Sequence, residues 1–289
     1  MKIAIIGGSG KMGQWFAHFL ANEGQEVIIT GRNQEKLKAA QRQLGVEADS
    51  NVAAAKRADA IIISVPIDNF EDVVKEISRY TRPGQIIVDL TSVKASPVAT
   101  MHRHIKQAQV LGIHPVFGPG AKSAANQNIV LTPIGEDENT LACKIKGYLE
   151  KKGAIVTLMT PEEHDEMMAV ILGLCHFIAL VSADALLSFD NLKQLKNIGG
   201  TTYKVLLTMI ESVLTEDPEL YATLQMNLPR MAEVDKLFQD KTRLWAEMVT
   251  RKDRTEFTLK MQAMRDKFEQ SDPDFGQAYE NMYKLMDKQ

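Results

Sequence analysis

The sequence predicts an α/β protein in which a domain built on a mainly parallel sheet, residues 1–160, precedes an all-helical domain, residues 161–289. Three observations predict this. The early strand candidates are unbroken apolar runs such as Ile3-Ala4-Ile5-Ile6 and Ile61-Ile62-Ile63, as in a parallel sheet covered on both faces. Strand and helix signals alternate as far as residue 160, which implies βαβ units. Beyond Pro161 apolar residues recur at helical spacing and no strand signal stands out.

Taken in order, the strand candidates are 3–7, 26–30, 60–65, 85–90, 110–114, 129–133 and 155–159. Helical stretches at 12–23, 34–44, 69–80, 98–107 and 138–152 fall between most of them. Thr160-Pro161-Glu162-Glu163 opens the helical half: Thr as N-cap, Pro in the first turn, acids at the positive end of the helix dipole. Asp217-Pro218-Glu219 and Asp272-Pro273-Asp274 read as later helix starts. Residues 167–187 are apolar over about a bilayer's width, yet carry His176, Ser182 and Asp184, which lipid disfavours. They are read as a helix buried in protein, at a subunit interface, and a homodimer through the helical domain is expected.

Composition narrows the function classes. At 289 residues, 45% apolar and 25% charged, the chain resembles an ordinary soluble protein. A net charge of −3 gives no general attraction to nucleic acid or anionic membrane. Two cysteines, Cys143 and Cys175, suggest free thiols rather than a disulfide framework. With Met-Lys leading straight into a strand, no signal peptide is expected and the location expected is cytoplasmic. No metal site is expected.

Two motifs carry chemistry. Strand 3–7 runs into Gly8-Ser9-Gly10-Lys11-Met12-Gly13, a Gly-x-Gly-x-x-Gly loop between a strand and a helix, the context that makes it a dinucleotide fingerprint. Gly8 is expected to permit the tight turn, Gly10 to admit a pyrophosphate to the backbone amides, and Gly13 to let helix and strand pack closely. The next strand ends Thr30-Gly31-Arg32-Asn33 with no acid for a ribose 2′-hydroxyl. Gly31 opens space, Arg32 can pair with a 2′-phosphate, and Thr30, Asn33 and Lys36 add polar groups, so NADP is favoured over NAD. Ser64-Val65-Pro66, ending strand 60–65, is placed beside the cofactor. The second motif is Gly112-Ile113-His114-Pro115-Val116-Phe117-Gly118-Pro119, which sets His114 at a strand end on rigid backbone, where α/β sheets bind ligands.

With the glycine loop, Asp89-Leu90-Thr91-Ser92-Val93-Lys94 and Gly112-Ile113-His114-Pro115 in hand, the chain resembles the prephenate/arogenate dehydrogenase family of tyrosine biosynthesis, most closely its archaeal branch. The resemblance implies a Rossmann-type first domain, prephenate as substrate, and oxidative decarboxylation to 4-hydroxyphenylpyruvate with hydride transfer to the nicotinamide. It assigns His114 as acceptor of the ring hydroxyl proton, a task suited to neutral imidazole, and Ser92 as the serine bonded to that histidine or to the hydroxyl. Asp89 serves either directly or as an ordinary cap of the turn after its strand. His176 aligns with the histidine that ends the family's Ser-His-Leu-Pro-His segment and contacts substrate, although Leu172 and Gly173 stand where that segment has Ser-His. His164, beside Asp165, is expected to be exposed.

The chain departs from the family after Gly199-Gly200, where Thr201-Thr202-Tyr203-Lys204 replaces a run whose arginine binds a substrate carboxylate. Tyr203, Lys204, Lys94 and Arg230 are the candidates to replace it. Arogenate is the nearest alternative substrate. Another NADP-dependent Rossmann-plus-helical reductase is opposed by the absence of lysine between Glu163 and Phe189. A non-catalytic dinucleotide-binding regulator also remains open.

Overall fold

The computed structural model describes residues 1–286. The first half runs β1 (Lys2–Ile6), α1 (Lys11–Asn22), β2 (Glu26–Ile29), α2 (Gln34–Leu44), β3 (Glu47–Ala48), α3 (Asn51–Arg57), β4 (Ala60–Ile63), α4 (Phe70–Ser78), β5 (Ile86–Asp89), α5 (Ala95–His104), β6 (Gln109–Pro115), β7 (Asn128–Thr132), α6 (Glu136–Glu150), β8 (Ile155–Leu158) and α7 (Pro161–Met168). The strands form one sheet in the order β3-β2-β1-β4-β5-β6-β7-β8. Every pairing is parallel except β6 with β7. This is the doubly wound order, with its switch point between β1 and β4. β3, of two residues, and α3, of seven, are too short to leave a periodic signal in the sequence.

Strand alternation explains the core. Ile3, Ile5, Val27, Ile29 and Leu131 join one buried cluster with Phe16 and Leu20 of α1 and Leu141 of α6. Their neighbours Ala4, Ile6, Ile28, Ile61 and Ile63 join another with Phe70 of α4 and Val98 and Met101 of α5. Successive strand residues face opposite sides, so an unbroken isoleucine run buries on both faces only if helices cover both.

α7 begins with the expected cap. The Thr160 hydroxyl accepts from the Glu163 amide at 3.2 Å, and the Glu163 carboxylate accepts from the Thr160 amide at 2.9 Å, a capping box. α7 then packs on α5 and β7. By packing, the chain divides into a unit of residues 1–168 with 227–229 and a second of 169–226 with 230 onward.

The second unit is helical throughout: a π-helical segment (Ala169–Leu174), α8 (Cys175–Leu187), α9 (Leu192–Ile198), α10 (Thr201–Leu214), α11 (Pro218–Asn227), α12 (Met231–Arg251), α13 (Arg254–Ser271) and α14 (Ala278–Met286). Ala179 and Ala183 are buried on α8, which packs on α10. In the π-helical segment the Gln225 side-chain amide donates to the Gly173 carbonyl at 2.9 Å. Wide turns disturb the regular ladder, and outside donors commonly satisfy such groups. The 167–187 stretch is helical as read but is not buried within the chain. Met167, Val170, Ile171, Val181 and Leu187 are exposed. The helix Pro161–Leu187 is long and apolar enough to cross a membrane, by length and composition alone.

Gly112, two residues before His114, is closely packed. A Cβ there would collide with the Thr132 hydroxyl and lie 2.8 Å from Val98 Cγ2. Overpacking of this kind costs about 1–3 kcal/mol. Gly112→Ala is therefore expected to lower unfolding free energy by that amount, read by urea denaturation.

Candidate active site

The glycine loop lies at the switch point. Gly7, one residue before the motif, is the turn residue with positive φ (+84°), and a Cβ on it would collide with the Ser64 carbonyl. Gly8 was expected in that role. It is instead a close-approach glycine, with space for a Cβ closed by Ile29 Cβ at 2.6 Å and the Ile5 carbonyl at 2.9 Å. Gly13 packs helix against strand, since a Cβ there would sit 2.5 Å from the Gly7 carbonyl. Gly10 is the N-cap of α1, no side chain caps this end, and only the Gly7 carbonyl, at 3.3 Å, comes near a Cβ placed on it. The first-turn amides of α1 are thus presented without a side-chain cap, the donor set a pyrophosphate takes. These residues fit a dinucleotide. Ser9 abuts Gly31, where a Cβ would collide with the serine hydroxyl. Lys11 is exposed and Met12 half-buried at the head of α1.

At the tip of β2, Arg32 is exposed and its guanidinium Nη1 donates to Asn69 Oδ1 at 2.9 Å. It borders a groove of about 550 Å³ that Gly31, Lys38, Asp49 and Glu76 also line. Two of the expected polar groups are already used. The Asn33 side-chain oxygen Oδ1 caps α2, accepting from the Glu35 and Lys36 amides at 3.0 Å each, and the buried Thr30 hydroxyl donates to Asn51 Oδ1 at 2.6 Å. Ser64 and Val65 are half-buried and Pro66 exposed after β4.

His114 is the penultimate residue of β6, which outruns its parallel neighbour. β5 stops at Asp89, opposite Gly112, so Ile113, His114 and Pro115 are paired only with Leu131, Val130 and Ile129 of antiparallel β7. The imidazole is 3% exposed. Its Nδ1 lies 2.8 Å from His164 Nε2, and His164 Nδ1 lies 2.7 Å from Asp165 Oδ1. The Asp165 carboxylate also accepts from the amides of Lys94 at 2.7 Å and Ala95 at 2.9 Å, at the start of α5. His164 is thus fully buried, not exposed as its place in a first turn suggested. α7 turns Pro161, His164, Asp165 and Met168 inward. Burial, then the neighbouring His164 and Lys94, hold the His114 imidazole well below its ordinary 6.5.

Lys94 is not available to a substrate carboxylate. It is fully buried, its ammonium bonded to Asp89 Oδ1 and, at 3.0 Å, to the Ile113 carbonyl. Burial pushes the Asp89 carboxyl up and the Lys94 ammonium down, against their mutual attraction. Asp89 also accepts from the Thr91 amide at 2.8 Å, so it is the turn cap that was one of its two readings. Ser92, half-buried and next after Thr91, makes no hydrogen bond to His114, whose Nδ1 is taken by His164.

In the second unit His176 is half-buried on α8. Its ring meets Tyr221 edge-on at 4.8 Å, its buried Nδ1 has no partner among the described residues, and burial holds it below 6.5. Tyr221 was not singled out in the sequence and carries no motif. Tyr203 and Lys204 lie in the first turn of α10, the tyrosine half-buried against Gly199 and the lysine exposed. Arg230 pairs with Glu233 at 2.9 Å.

Sheet order and glycine loop together define a dinucleotide-binding protein of the Rossmann class. Family models agree: one described as prephenate dehydrogenase, nucleotide-binding domain, matches residues 16–158, and one described as prephenate dehydrogenase, dimerization domain, matches 160–263. The chain belongs to the prephenate dehydrogenase family. It is 38% identical over 262 residues to a Methanocaldococcus jannaschii protein named "Probable arogenate/prephenate dehydrogenase", covering 89% of this chain and 58% of that one. It is 31% identical over 229 residues to the T-protein of Haemophilus influenzae, covering 78% and 56%. The chain thus spans somewhat more than half the length of these relatives. Its fold matches the Aquifex aeolicus prephenate dehydrogenase solved with hydroxyphenyl propionate and NAD+, at a TM-score of 0.77 and 20% identity over 94% of this chain and 98% of that one.

Removing one partner of a buried ion pair costs about 3–5 kcal/mol. Lys94→Met is expected to lose that much stability in a denaturant titration, and the double variant Asp89→Leu/Lys94→Met to regain most of it.

Proposed function

We propose that the protein is an NADP-dependent prephenate dehydrogenase. The observation that carries this is His114, set past the carboxyl edge of the sheet that bears the glycine loop and held by a buried polar network rather than by packing alone. A nicotinamide dinucleotide held by the glycine loop would supply the hydride acceptor. The protein's own residues have three tasks: hold the dinucleotide, take a proton from the ring hydroxyl, and hold two carboxylates. The uncapped start of α1 suits the pyrophosphate. His114, kept neutral by burial, takes the hydroxyl proton as hydride leaves the same carbon. The ring then releases carbon dioxide, and the proton returns from His114 to the phenol oxygen, so no net proton is consumed. Ser92 orients the hydroxyl. His176, Tyr203 and Lys204 contact the substrate's carboxylates. Lys204 is the candidate cation, since Lys94 and Arg230 have carboxylate partners.

NADP is favoured over NAD because no acid ends β2 and Arg32 stands exposed there beside the groove. The second unit forms a homodimer: the family model covering it is described as a dimerization domain, and α13 exposes Phe257, Leu259, Met261, Met264 and Phe268. A cytoplasmic location follows from this assignment.

Four outcomes test the reading. In assays of prephenate and arogenate with NAD and NADP, prephenate with NADP is expected to give the highest kcat/KM. His114→Asn is expected to lower kcat about 10²-fold or more with NADP binding retained. Faster turnover of arogenate would reassign the substrate within the family, and no turnover of either would sink the proposal. Arg32→Ser is expected to weaken NADP binding about 10-fold to 100-fold, the value of about 1.5–3 kcal/mol for hydrogen bonds to a charged group, while NAD binding changes little; calorimetry reads both. Because the folded imidazole titrates well below 6.5, the base form persists at lower pH, so the acid limb of kcat/KM is expected well below pH 6.5. A limb centred at or above 6.5 contradicts that role for His114.

A further inference from the structure

The three buried groups His114, His164 and Asp165 form a chain whose proton positions can be deduced from one end. Both oxygens of Asp165 accept backbone amides, of Lys94 at 2.7 Å and Ala95 at 2.9 Å. Hydrogen bonds from amides favour the charged form of the group that accepts them, and a charged carboxylate only accepts. His164 Nδ1, 2.7 Å from Oδ1, therefore carries the hydrogen. In a neutral imidazole the other nitrogen is then a lone pair. His164 Nε2 faces His114 Nδ1 at 2.8 Å, so His114 Nδ1 must carry the hydrogen of that bond. The remaining nitrogen of His114, Nε2, is left as the lone pair.

We propose that His164 and Asp165 are positioning residues that fix His114 in its Nδ1–H tautomer, making Nε2 the atom that receives the substrate's hydroxyl proton. This rests on the reading of His114 as the base. Without the chain, His114 would exchange between two tautomers, one of which carries a hydrogen at Nε2 and accepts nothing there. The step balances. The hydroxyl O–H bond breaks, its pair becomes the carbonyl bond as hydride leaves to the nicotinamide, and the proton binds Nε2. His114 then carries one positive charge, its Nδ1–H still donated to His164, whose own Nδ1–H faces the Asp165 carboxylate. The proton returns to the ring oxygen on aromatisation. The rings meet edge-on, 5.0 Å between centroids and 72° between planes, with the two facing nitrogens 2.8 Å apart.

The test pairs kinetics with a measurement that needs no turnover. Imidazole ¹⁵N shifts of ¹⁵N-histidine-labelled enzyme, assigned with His114→Asn and His164→Phe, are expected to show His114 protonated at Nδ1 in the wild type and at Nε2 in His164→Phe. In steady state, His164→Phe is expected to lower kcat about 10-fold to 100-fold, the range seen when a supporting partner is removed, with substrate KM and NADP affinity within about twofold. His164→Gln keeps an acceptor for His114 and a donor for Asp165, and is expected to restore most of kcat. An Nε2–H tautomer for His114 in the wild type, an unchanged kcat in His164→Phe, or a glutamine variant as slow as the phenylalanine one overturns the proposal. If His164→Phe does not fold, the wild-type tautomer and the glutamine variant still decide. Absence of turnover with a confirmed Nδ1–H tautomer would refute the substrate assignment and leave the chain standing.

Discussion

The region around His114 depends on what residue 94 does with both of its ends. Its ammonium is buried on Asp89 and the Ile113 carbonyl, joining the tip of β5 to β6 one residue before the histidine. Its main-chain amide, with that of Ala95, holds the Asp165 carboxylate of α7 at the start of α5. One residue therefore links two strands and two helices at the point where the proposed base stands. Burying this much charge is expensive and is tolerated only when each partner is in place. The helix dipole adds to it, because the α5 N-terminus favours a negative group where Asp165 sits.

The same economy governs the cofactor end. Gly7, Gly8, Gly13 and Gly31 each lack a side chain because backbone or a neighbouring side chain occupies the space it would fill. Gly7 and Ser64 bring the β1 and β4 loops into contact, and Ser9 and Gly31 bring the β1 and β2 loops together. The loop geometry is set by these close approaches, while the start of α1 keeps its amides unclaimed by any side-chain cap.

Much of this was legible beforehand, because period and punctuation are local. Isoleucine runs marked the two-faced sheet, and the strand–glycine–helix context marked the loop. The Gly-His-Pro corner marked a histidine at the end of a strand, the proposed base. Roles that depend on what folds back from a distance were not legible. Gly7 takes the turn in place of Gly8 because of Ser64, fifty-seven positions away in the sequence. Lys94 looked like a free cation because nothing local shows that Asp89 and Ile113 close over it. His164 looked exposed because it follows a helix cap among acids. Yet 161, 164, 165 and 168 is the spacing of one helical face, and α7 buries those four residues. Two polar residues at inward positions of a short helix were a signal that hydrophobicity alone does not weigh. Tyr221 offered no signal, since its role comes from lying across His176.

The overhang of β6 also bears on how the histidine can move. Past Gly112 the strand has lost its parallel neighbour: β7 continues the ladder, and apart from it the Lys94 ammonium holds the Ile113 carbonyl. The imidazole's aim is therefore set by the β6–β7 pairing and the side-chain chain together. The loop that follows is pinned to α1, where the Trp15 indole donates to the Ala121 carbonyl at 2.7 Å and stacks edge-on against Phe117. The first helix, whose start is the proposed phosphate seat, thus braces the segment that follows the overhanging end of β6.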